Sequence, residues 1–480
     1  VSRDRGGRDD DFSFRAAADR ARGGPALLDE TGEVLVDWGT LARRAEEASR
    51  ESARISASPP TAPVDAFVPR LDPTGAQRVL SAVVAGRPIA PVHPRLPEPE
   101  RERRLVLARA RLAAGAARRA AVAVAPPPAE ARPLAALFTS GTSGAAKLAQ
   151  LSRGAFLASA RASAEVLPFG PGDRWLLAMP LAHVGGLSIL TRALFGGGGV
   201  VLGGAFETGR VLRALAAARV THASLVPTML RRILDQGARA PDGLRVVLLG
   251  GAAAPDALVD EALDRGWPIH RTYGLTEACS QVATEPRPGA GLRPLPGVVV
   301  AVGGPEGKAS DRDAGHDRVG EVEVGGPILF DGYLEEDGRL ERPGRGADGS
   351  FPTGDLGRLR ADGVLEIVGR RDDVIVTGGE NVHPGEVEAV LAAVPGAGEV
   401  VVLGLPDPTW GDRVVAVWER AAGPEAGLGA RLEAQARAAL APHQRPKELI
   451  AVPVLPRTPT GKVDRRALRR QLRETAGRAG

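Results

Sequence analysis

Leu134-Ala135-Ala136-Leu137-Phe138-Thr139-Ser140-Gly141-Thr142-Ser143-Gly144-Ala145-Ala146-Lys147 decides how this chain is read. The apolar run at 134–138 has the character of a buried strand, and it runs into four hydroxyl residues, two glycines and a lysine. Glycine lets backbone N–H groups turn toward an anion, hydroxyls add donors, and the ammonium adds a full positive charge. The lysine is informative in itself. Only Lys147, Lys308, Lys447 and Lys462 stand among 62 basic residues, the rest being arginine. A compact, mobile ammonium, and not the planar fork of arginine, is what a phosphate-holding loop of this kind uses. The spacing is not that of a Walker A sequence, because Lys147 follows Gly144 by three residues and precedes Leu148 in place of Ser or Thr.

Around this loop the composition sets limits. A chain of 480 residues exceeds one ordinary core, so two to four domains are expected. Aromatic residues make up only 4%, which leaves Ala, Val and Leu to build the core. The net charge is +4 and the basic residues are interspersed with acids, which argues against a nucleic-acid partner. One cysteine, Cys279, excludes an intramolecular disulfide framework and a cysteine-cluster metal site. Val1 to Asp11 is a charged arm, expected to be flexible, with no signal-peptide core. No run of about 18 apolar residues is available to span a membrane. These features together lead to the expectation of a cytoplasmic protein.

The periodicity changes along the chain. Residues 101–120, rich in Ala and Arg, predict a helix, and Ala125–Pro133 a proline-rich connector. From about 134 to 290, β-like runs alternate with helical ones. Arg174–Met179, Val200–Leu202, His222–Val226 and Val246–Leu249 are read as strands, and Leu187–Phe195, Val211–Ala218 and Pro227–Gln236 as helices. That alternation predicts α/β layers with much parallel sheet. Gly196–Gly199 is read as a loop between a helix and a strand. From 297 to 368 the texture is β-rich, with Gly320–Gly325 and Val364–Val368 as strands. After Arg370 comes an α+β segment, with helices over Glu386–Ala393 and Gly429–Leu440 and strands over Gly398–Leu405 and Arg413–Glu419. The fold class is therefore α/β. A large N-terminal domain (1–369) of layered α/β subdomains plus a β-rich subdomain precedes a small α+β domain (370–480).

The loop Thr139, Ser140, Gly141, Thr142, Ser143, Gly144 and Lys147 closely resembles the phosphate loop of the adenylate-forming superfamily, which holds acyl-CoA synthetases, luciferases and peptide-synthetase adenylation domains. Further motifs follow in that family's order. Pro180-Leu181-Ala182-His183 resembles the segment that ends in an active-site histidine beside the acyl carboxylate. Gly250, Gly251 and Ala252, after the strand Val246–Leu249, resemble the small residues that let adenine lie against backbone. Tyr273-Gly274-Leu275-Thr276-Glu277 is the sharpest match after the loop. The resemblance implies that Tyr273 packs on adenine, Thr276 meets phosphate and Glu277 coordinates Mg²⁺, as a carboxylate suits a hard cation. It further implies that Asp355 and Arg370 hold ribose, that Asp372 is the hinge of a mobile C-terminal domain, and that Gly378 and Gly379 line a CoA tunnel. Lys462, in Pro459-Thr460-Gly461-Lys462, would reach the acyl carboxylate and the α-phosphate. ATP, Mg²⁺ and CoA are the implied cofactors and co-substrates. The one departure is Leu148, where the family usually has glycine.

The acid is read from the segment after His183. It carries no acidic residue to grip an α-amino group, which argues against amino acids. Ser188 and Arg192 are four apart and share a face if the segment is helical. A buried arginine suits a substrate with a second carboxylate. Together with Gln281, in Tyr273 to Gln281, the pattern resembles the o-succinylbenzoate–CoA ligases of menaquinone biosynthesis, whose substrate is a dianion. Another small aryl- or acyl-CoA ligase and a non-catalytic nucleotide-binding member of the fold remain as alternatives. The expected partners are the acid, ATP and CoA, with the oligomeric state, a homo-oligomer included, left open.

Overall fold

The computed structural model of the protein describes residues 12–55, 65–122, 128–139, 146–303, 318–344, 349–420, 427–458 and 462–478, without the side chains of 48–55, 122 and 476–478. The charged arm Val1–Asp11, the loop residues Ser140, Gly141, Thr142, Ser143 and Gly144, and Pro459–Gly461 lie outside the described residues. The chain divides into two compact units. One comprises Val1–Gly251, Ala262–Val300 and Val324–Phe351; the other comprises Ala252–Glu261, Ala301–Glu323 and Pro352–Gly480.

Within the first unit, the described residues form a sheet of nine strands. Its order is Arg293–Pro294, Ser280–Thr284, Ile269–Leu275, Val246–Leu249, His222–Leu225, Arg174–Leu177, Gly199–Leu202, Pro25–Leu28 and Val34–Asp37. The run from Ile269–Leu275 to Pro25–Leu28 is parallel throughout. The reason is visible in the residues. Val246–Leu249, His222–Leu225 and Gly199–Leu202 are buried at every position, as strands covered by helices on both faces must be. Strands and helices read from the sequence recur here within a few residues of their expected ends, including the helix Val184–Gly196. The strands Pro25–Leu28 and Val34–Asp37 were not expected. They are too short to show a period.

A second sheet in this unit has the order Leu340–Glu341, Gly332–Leu334, Lys147–Ser152, Pro133–Thr139, Ile89–Pro91 and Asp65–Phe67. The last residue of the expected connector, Pro133, opens a strand. Pro133–Thr139 and Lys147–Ser152 form an antiparallel hairpin closed by the pair Thr139 and Lys147, so the hydroxyl-glycine loop is the connection of that hairpin. Leu148 then falls on the opposite face from Lys147, because side chains alternate along a strand. It is fully buried in a cluster with Ala108, Leu112, Ala136 and Leu334. The residue that looked like a defect in the loop is a core residue of the sheet beside it. The long helix Glu98–Val122, expected over 101–120, carries Ala108 and Leu112 into the same cluster.

The second unit holds, apart from residues at strand ends, a sheet of order Val299–Val302, Gly320–Gly325, Phe351–Leu359 and Leu365–Arg370. It also holds a sheet in which Glu448–Val452 runs parallel to Gly411–Glu419, while Gly411–Glu419 pairs antiparallel with Val400–Asp407. Alternation along the latter two strands builds two cores. Val400, Val402, Val414, Ala416 and Trp418 pack with the helices Pro384–Ala392 and Leu428–Ala439. Val401, Leu403, Val415 and Val417 pack with Leu468 and Leu472 of the helix Arg465–Arg478. Among the described residues no helix is long and apolar enough to cross a membrane.

Candidate active site

In the first unit, several expected nucleotide residues fall at the carboxyl ends of parallel strands, where open α/β sheets bind ligands. Gly250 follows Val246–Leu249, and Tyr273 lies on the neighbouring strand two residues past the Leu249–Arg271 pair. A Cβ on Gly250 would sit 2.6 Å from Thr272 Cγ2, and Gly251 has φ +80°, so packing and backbone each demand glycine there. Gly274 is held just as tightly, since its Cβ would meet the carbonyl oxygen of Ser280. The strand is followed by a 3₁₀ turn, Thr276–Ala278, and then by Cys279 and Ser280 with φ of 54° and 94°. Consecutive non-glycine residues in this region store strain, and such strain collects at functional sites. Phe330 N–H donates to the Glu277 carbonyl at 2.8 Å, and the Tyr333 hydroxyl donates to Glu277 Oε1 at 2.7 Å. Lys147 Nζ lies 4.6 Å from the centroid of the Tyr333 ring.

His183 is the N-cap residue of the helix Val184–Gly196, and its ring lies 4.9 Å from that of His93. His93 is buried and accepts from Arg95 N–H through Nδ1. Burial first, then Arg95 and Arg104, push its pKa down to about 4, so it is neutral beside His183 at physiological pH. The helix is buried all round from Gly186 to Leu194, so Ser188 and Arg192 are enclosed regardless of face. Arg192 is 4% exposed, and its Nε and Nη2 have no hydrogen-bond partner among the described residues. Its guanidinium carbon lies 5.4 Å from the Trp175 ring centroid. Burial lowers its pKa to about 10, which leaves it cationic. Ser188 Oγ is likewise buried without a partner among the described residues. The strand Ser280–Thr284, which packs against this helix, supplies Gln281. Gln281 Nε2 donates to Thr284 Oγ1 at 2.8 Å, whereas its buried Oε1 has no partner among the described residues.

In the second unit, Asp355 and Arg370 are direct partners across two antiparallel strands. Arg370 Nη1 donates to Asp355 Oδ1 at 2.8 Å and to the Thr353 carbonyl at 3.0 Å. Lys462 has an exposed residue surface, yet partial desolvation lowers the pKa of its ammonium. The nearby Arg370 lowers it further and Asp355 opposes both, so the structure brings these three expected residues together. Asp372 sits in the 3₁₀ turn Arg371–Asp373. Gly378 and Gly379 join Ile375–Thr377 to Glu380–Val382 with φ of 58° and 83°. A two-residue hairpin turn with both φ positive accounts for this glycine pair by itself. Gly378 also leaves room for Trp410, whose ring would lie 3.1 Å from an added Cβ.

A metal cage is absent from this picture: no group of three His, Cys, Asp or Glu among the described residues could hold an ion. Glu277, with one oxygen held by Tyr333 and the residue partly exposed, fits Mg²⁺ that arrives on phosphate oxygens. Two residues around these sites were missed in the sequence, His93 and Tyr333. They stand far from their partners, at 90 and 56 positions from His183 and Glu277. Their only signal was rarity, with seven histidines and two tyrosines in the chain.

Residues 53–334 match the AMP-binding enzyme family and residues 386–462 match the AMP-binding enzyme C-terminal domain. The chain belongs to the AMP-binding enzyme family. Over 281 residues it is 36% identical to the 2-succinylbenzoate–CoA ligase of Bacillus licheniformis, covering 57% of this chain and 57% of that protein. The chain thus spans just over half the length of that relative. Among solved structures, the o-succinylbenzoate CoA synthetase of Bacillus subtilis in complex with the acyl-adenylate intermediate matches with TM-score 0.78 and 26% identity, covering 96% of this chain and 98% of that one. ATP-bound MatB from Rhodopseudomonas palustris matches with TM-score 0.80 and 25% identity, over 97% and 100% of the two chains.

Proposed function

We propose that this protein is an ATP-dependent carboxylate–CoA ligase that works through an acyl-adenylate, with o-succinylbenzoate as its acid, in menaquinone biosynthesis. A carboxylate is a poor electrophile because its charge repels nucleophiles and oxide is a poor leaving group. Attack of the acid's oxygen on the α-phosphorus of ATP forms a new P–O bond and expels pyrophosphate. Negative charge gathers on the phosphates, and preorganised donors and cations stabilise it. In this reading Thr139, Ser140, Gly141, Thr142, Ser143, Gly144 and Lys147 hold the β- and γ-phosphates, and Thr276 meets phosphate. Gly250, Gly251, Ala252, Tyr273 and Gly274 receive adenine, and Asp355 and Arg370 receive ribose. Glu277 would hold Mg²⁺, which supplies neutralising charge to the phosphate oxygens. Lys462 serves the carboxylate and the α-phosphate, and His183 lies beside the carboxylate. The thiol of CoA then attacks the acyl carbon and AMP departs. For this step the segment from Arg370 onward acts as a mobile domain hinged at Asp372, with Gly378 and Gly379 along the path of CoA. A reaction that consumes ATP and CoA belongs in the cytoplasm.

The observation that carries the choice of acid is the buried, cationic Arg192, with donors unmatched among the described residues, on the helix that His183 begins. Nine residues of helix rise about 13 Å, and an arginine side chain leans back toward the N-terminus. A carboxylate at each end of an aryl diacid suits that separation. The relatives' names agree with this acid. The test is CoA-ester formation with o-succinylbenzoate, benzoate, octanoate and malonate. The expected result is a kcat/KM for o-succinylbenzoate at least tenfold above the others. Preference for a monoacid would overturn the acid and leave adenylation standing. Absence of pyrophosphate release with every acid, while ATP still binds, would make the protein a nucleotide-binding member of the fold without catalysis.

A further inference from the structure

We infer that Tyr333 is a positioning residue for the metal-bearing carboxylate and the loop lysine together, fixing Glu277 through its hydroxyl and Lys147 through its ring. This rests on the reading of Glu277 as the Mg²⁺ carboxylate given above. Tyr333 is 7% exposed, on the strand Gly332–Leu334, opposite Ala149 and two positions along the partner strand from Lys147. Its hydroxyl donates to Glu277 Oε1 at 2.7 Å, and Lys147 Nζ lies 4.6 Å from its ring centroid. One aromatic side chain thus touches a carboxylate at its polar end and an ammonium on its π face.

The surrounding contacts hold Tyr333 in place. Phe330 N–H donates to the Glu277 carbonyl at 2.8 Å, and the Phe330 and Tyr333 rings meet with centroids 5.0 Å apart. Asp331 N–H donates to the Gln150 carbonyl at 2.8 Å, and Gln150 Nε2 donates to Asp331 Oδ2 at 3.0 Å. The segment Phe330–Tyr333 is therefore tied both to the strand that begins at Lys147 and to the turn that bears Glu277. A hydrogen bond on Oε1 orients the carboxylate and leaves Oε2 for a cation. An aromatic face attracts an ammonium and limits where it rests before phosphate takes it. The chain has ten phenylalanines but only two tyrosines, Tyr273, four residues before Glu277, and Tyr333, which is bonded to it.

The experiment is calorimetric ATP binding to the full chain, in Mg²⁺ titrations and in EDTA, for the wild type, Tyr333→Phe, Tyr333→Leu and Glu277→Gln. Tyr333→Phe keeps the ring and loses the hydroxyl. Its half-saturating Mg²⁺ for tight ATP binding is expected to rise about tenfold, in the range seen when the groups that orient metal ligands are removed. Its ATP affinity in EDTA and its unliganded melting temperature should stay at wild-type values, which a merely structural role would not predict. Tyr333→Leu is expected to add an ATP-affinity loss that persists in EDTA, because the platform under Lys147 is gone. Wild-type Mg²⁺ dependence in Tyr333→Phe, with that dependence lost in Glu277→Gln, would overturn the inference alone. Wild-type dependence in Glu277→Gln would overturn the reading of Glu277 and this inference with it.

Discussion

Replacing Arg192 with methionine should stabilise the unliganded protein and cripple it toward diacids, and both effects follow from one geometry. The guanidinium is 4% exposed, stays charged with a pKa of about 10, and has two nitrogens without partners among the described residues. Each buried donor left unmatched costs about 1–3 kcal/mol. The stack on Trp175 returns about 1–2 kcal/mol at a desolvated site. Methionine has similar length, no polar hydrogen and a preference for aromatic neighbours. The net change is about 0–5 kcal/mol in favour of the variant, as when buried charges give way to apolar side chains. A rise of a few degrees in melting temperature is expected, since in domains of this size class each kcal/mol moves it by roughly 2 °C. The substrate pays the opposite way. A carboxylate that loses its buried cation forfeits about 3–5 kcal/mol, or roughly 10²- to 5 × 10³-fold in kcat/KM. The assay is pyrophosphate release with o-succinylbenzoate and with benzoate, beside a thermal melt of the unliganded protein. Benzoate turnover should change less than about threefold, because it has no second charge to lose. A lower melting temperature together with equal losses for both acids would refute the reasoning and make Arg192 a packing partner of Trp175.

Three further outcomes are expected. Lys462→Ala should abolish pyrophosphate release yet largely preserve CoA transfer to supplied acyl-adenylate, and equal loss of both half-reactions would remove its assigned role. In the wild type, if adenylation needs the ammonium, a lowered Lys462 pKa makes that half-reaction fail on the alkaline side below the ordinary lysine value of 10.5. Leu148→Ala should destabilise by about 2–5 kcal/mol as a buried cavity mutation, seen as a lower melting temperature, while KM for ATP stays within about twofold. The buried His93 and His222 have pKa values pushed down to about 4 and about 3, chiefly by burial. The unfolded chain binds their protons first as pH falls, so stability is full above about 6.5 and drops below it, by roughly 2 kcal/mol per histidine at pH 5. Melting of the first unfolding transition between pH 8 and 5 checks this, and a His93→Gln/His222→Gln variant should show a flatter slope.

The sequence made the layers legible where burial repeats. Val246–Leu249 is buried on both faces and apolar throughout, so its composition announces a central parallel strand. It singled out Lys147 and Lys462 by their rarity, and the structure sets Lys147 against the Tyr333 ring and Lys462 near Arg370 and Asp355. It was silent where a residue acts through a distant partner. Tyr333 and His93 belong to ordinary strands and loops in the sequence, and only tertiary structure sets them against Glu277 and His183. The departure at Leu148 misled for a related reason. Read as part of a loop it stood as a departure from the family's glycine, but a strand begins at Lys147, and the next side chain must face the other side of the sheet.

Strand register sets residues a short way apart in the chain directly opposite one another. Thr139 faces Lys147, Gly274 faces Gln281, and Asp355 faces Arg370, each across an antiparallel ladder. Every pair joins a residue assigned to the nucleotide or the acid with its neighbour in the same role or the adjoining one. Side chains alternate with period two, so a slip of one residue in any ladder would send one member of the pair to the opposite face. The hairpin that closes at Thr139 and Lys147 is pinned against such a slip by Leu148, whose burial leaves only one register in which the lysine faces away from the core. A glycine after the lysine would hold no such preference. In this chain the bulky residue takes over the task of register.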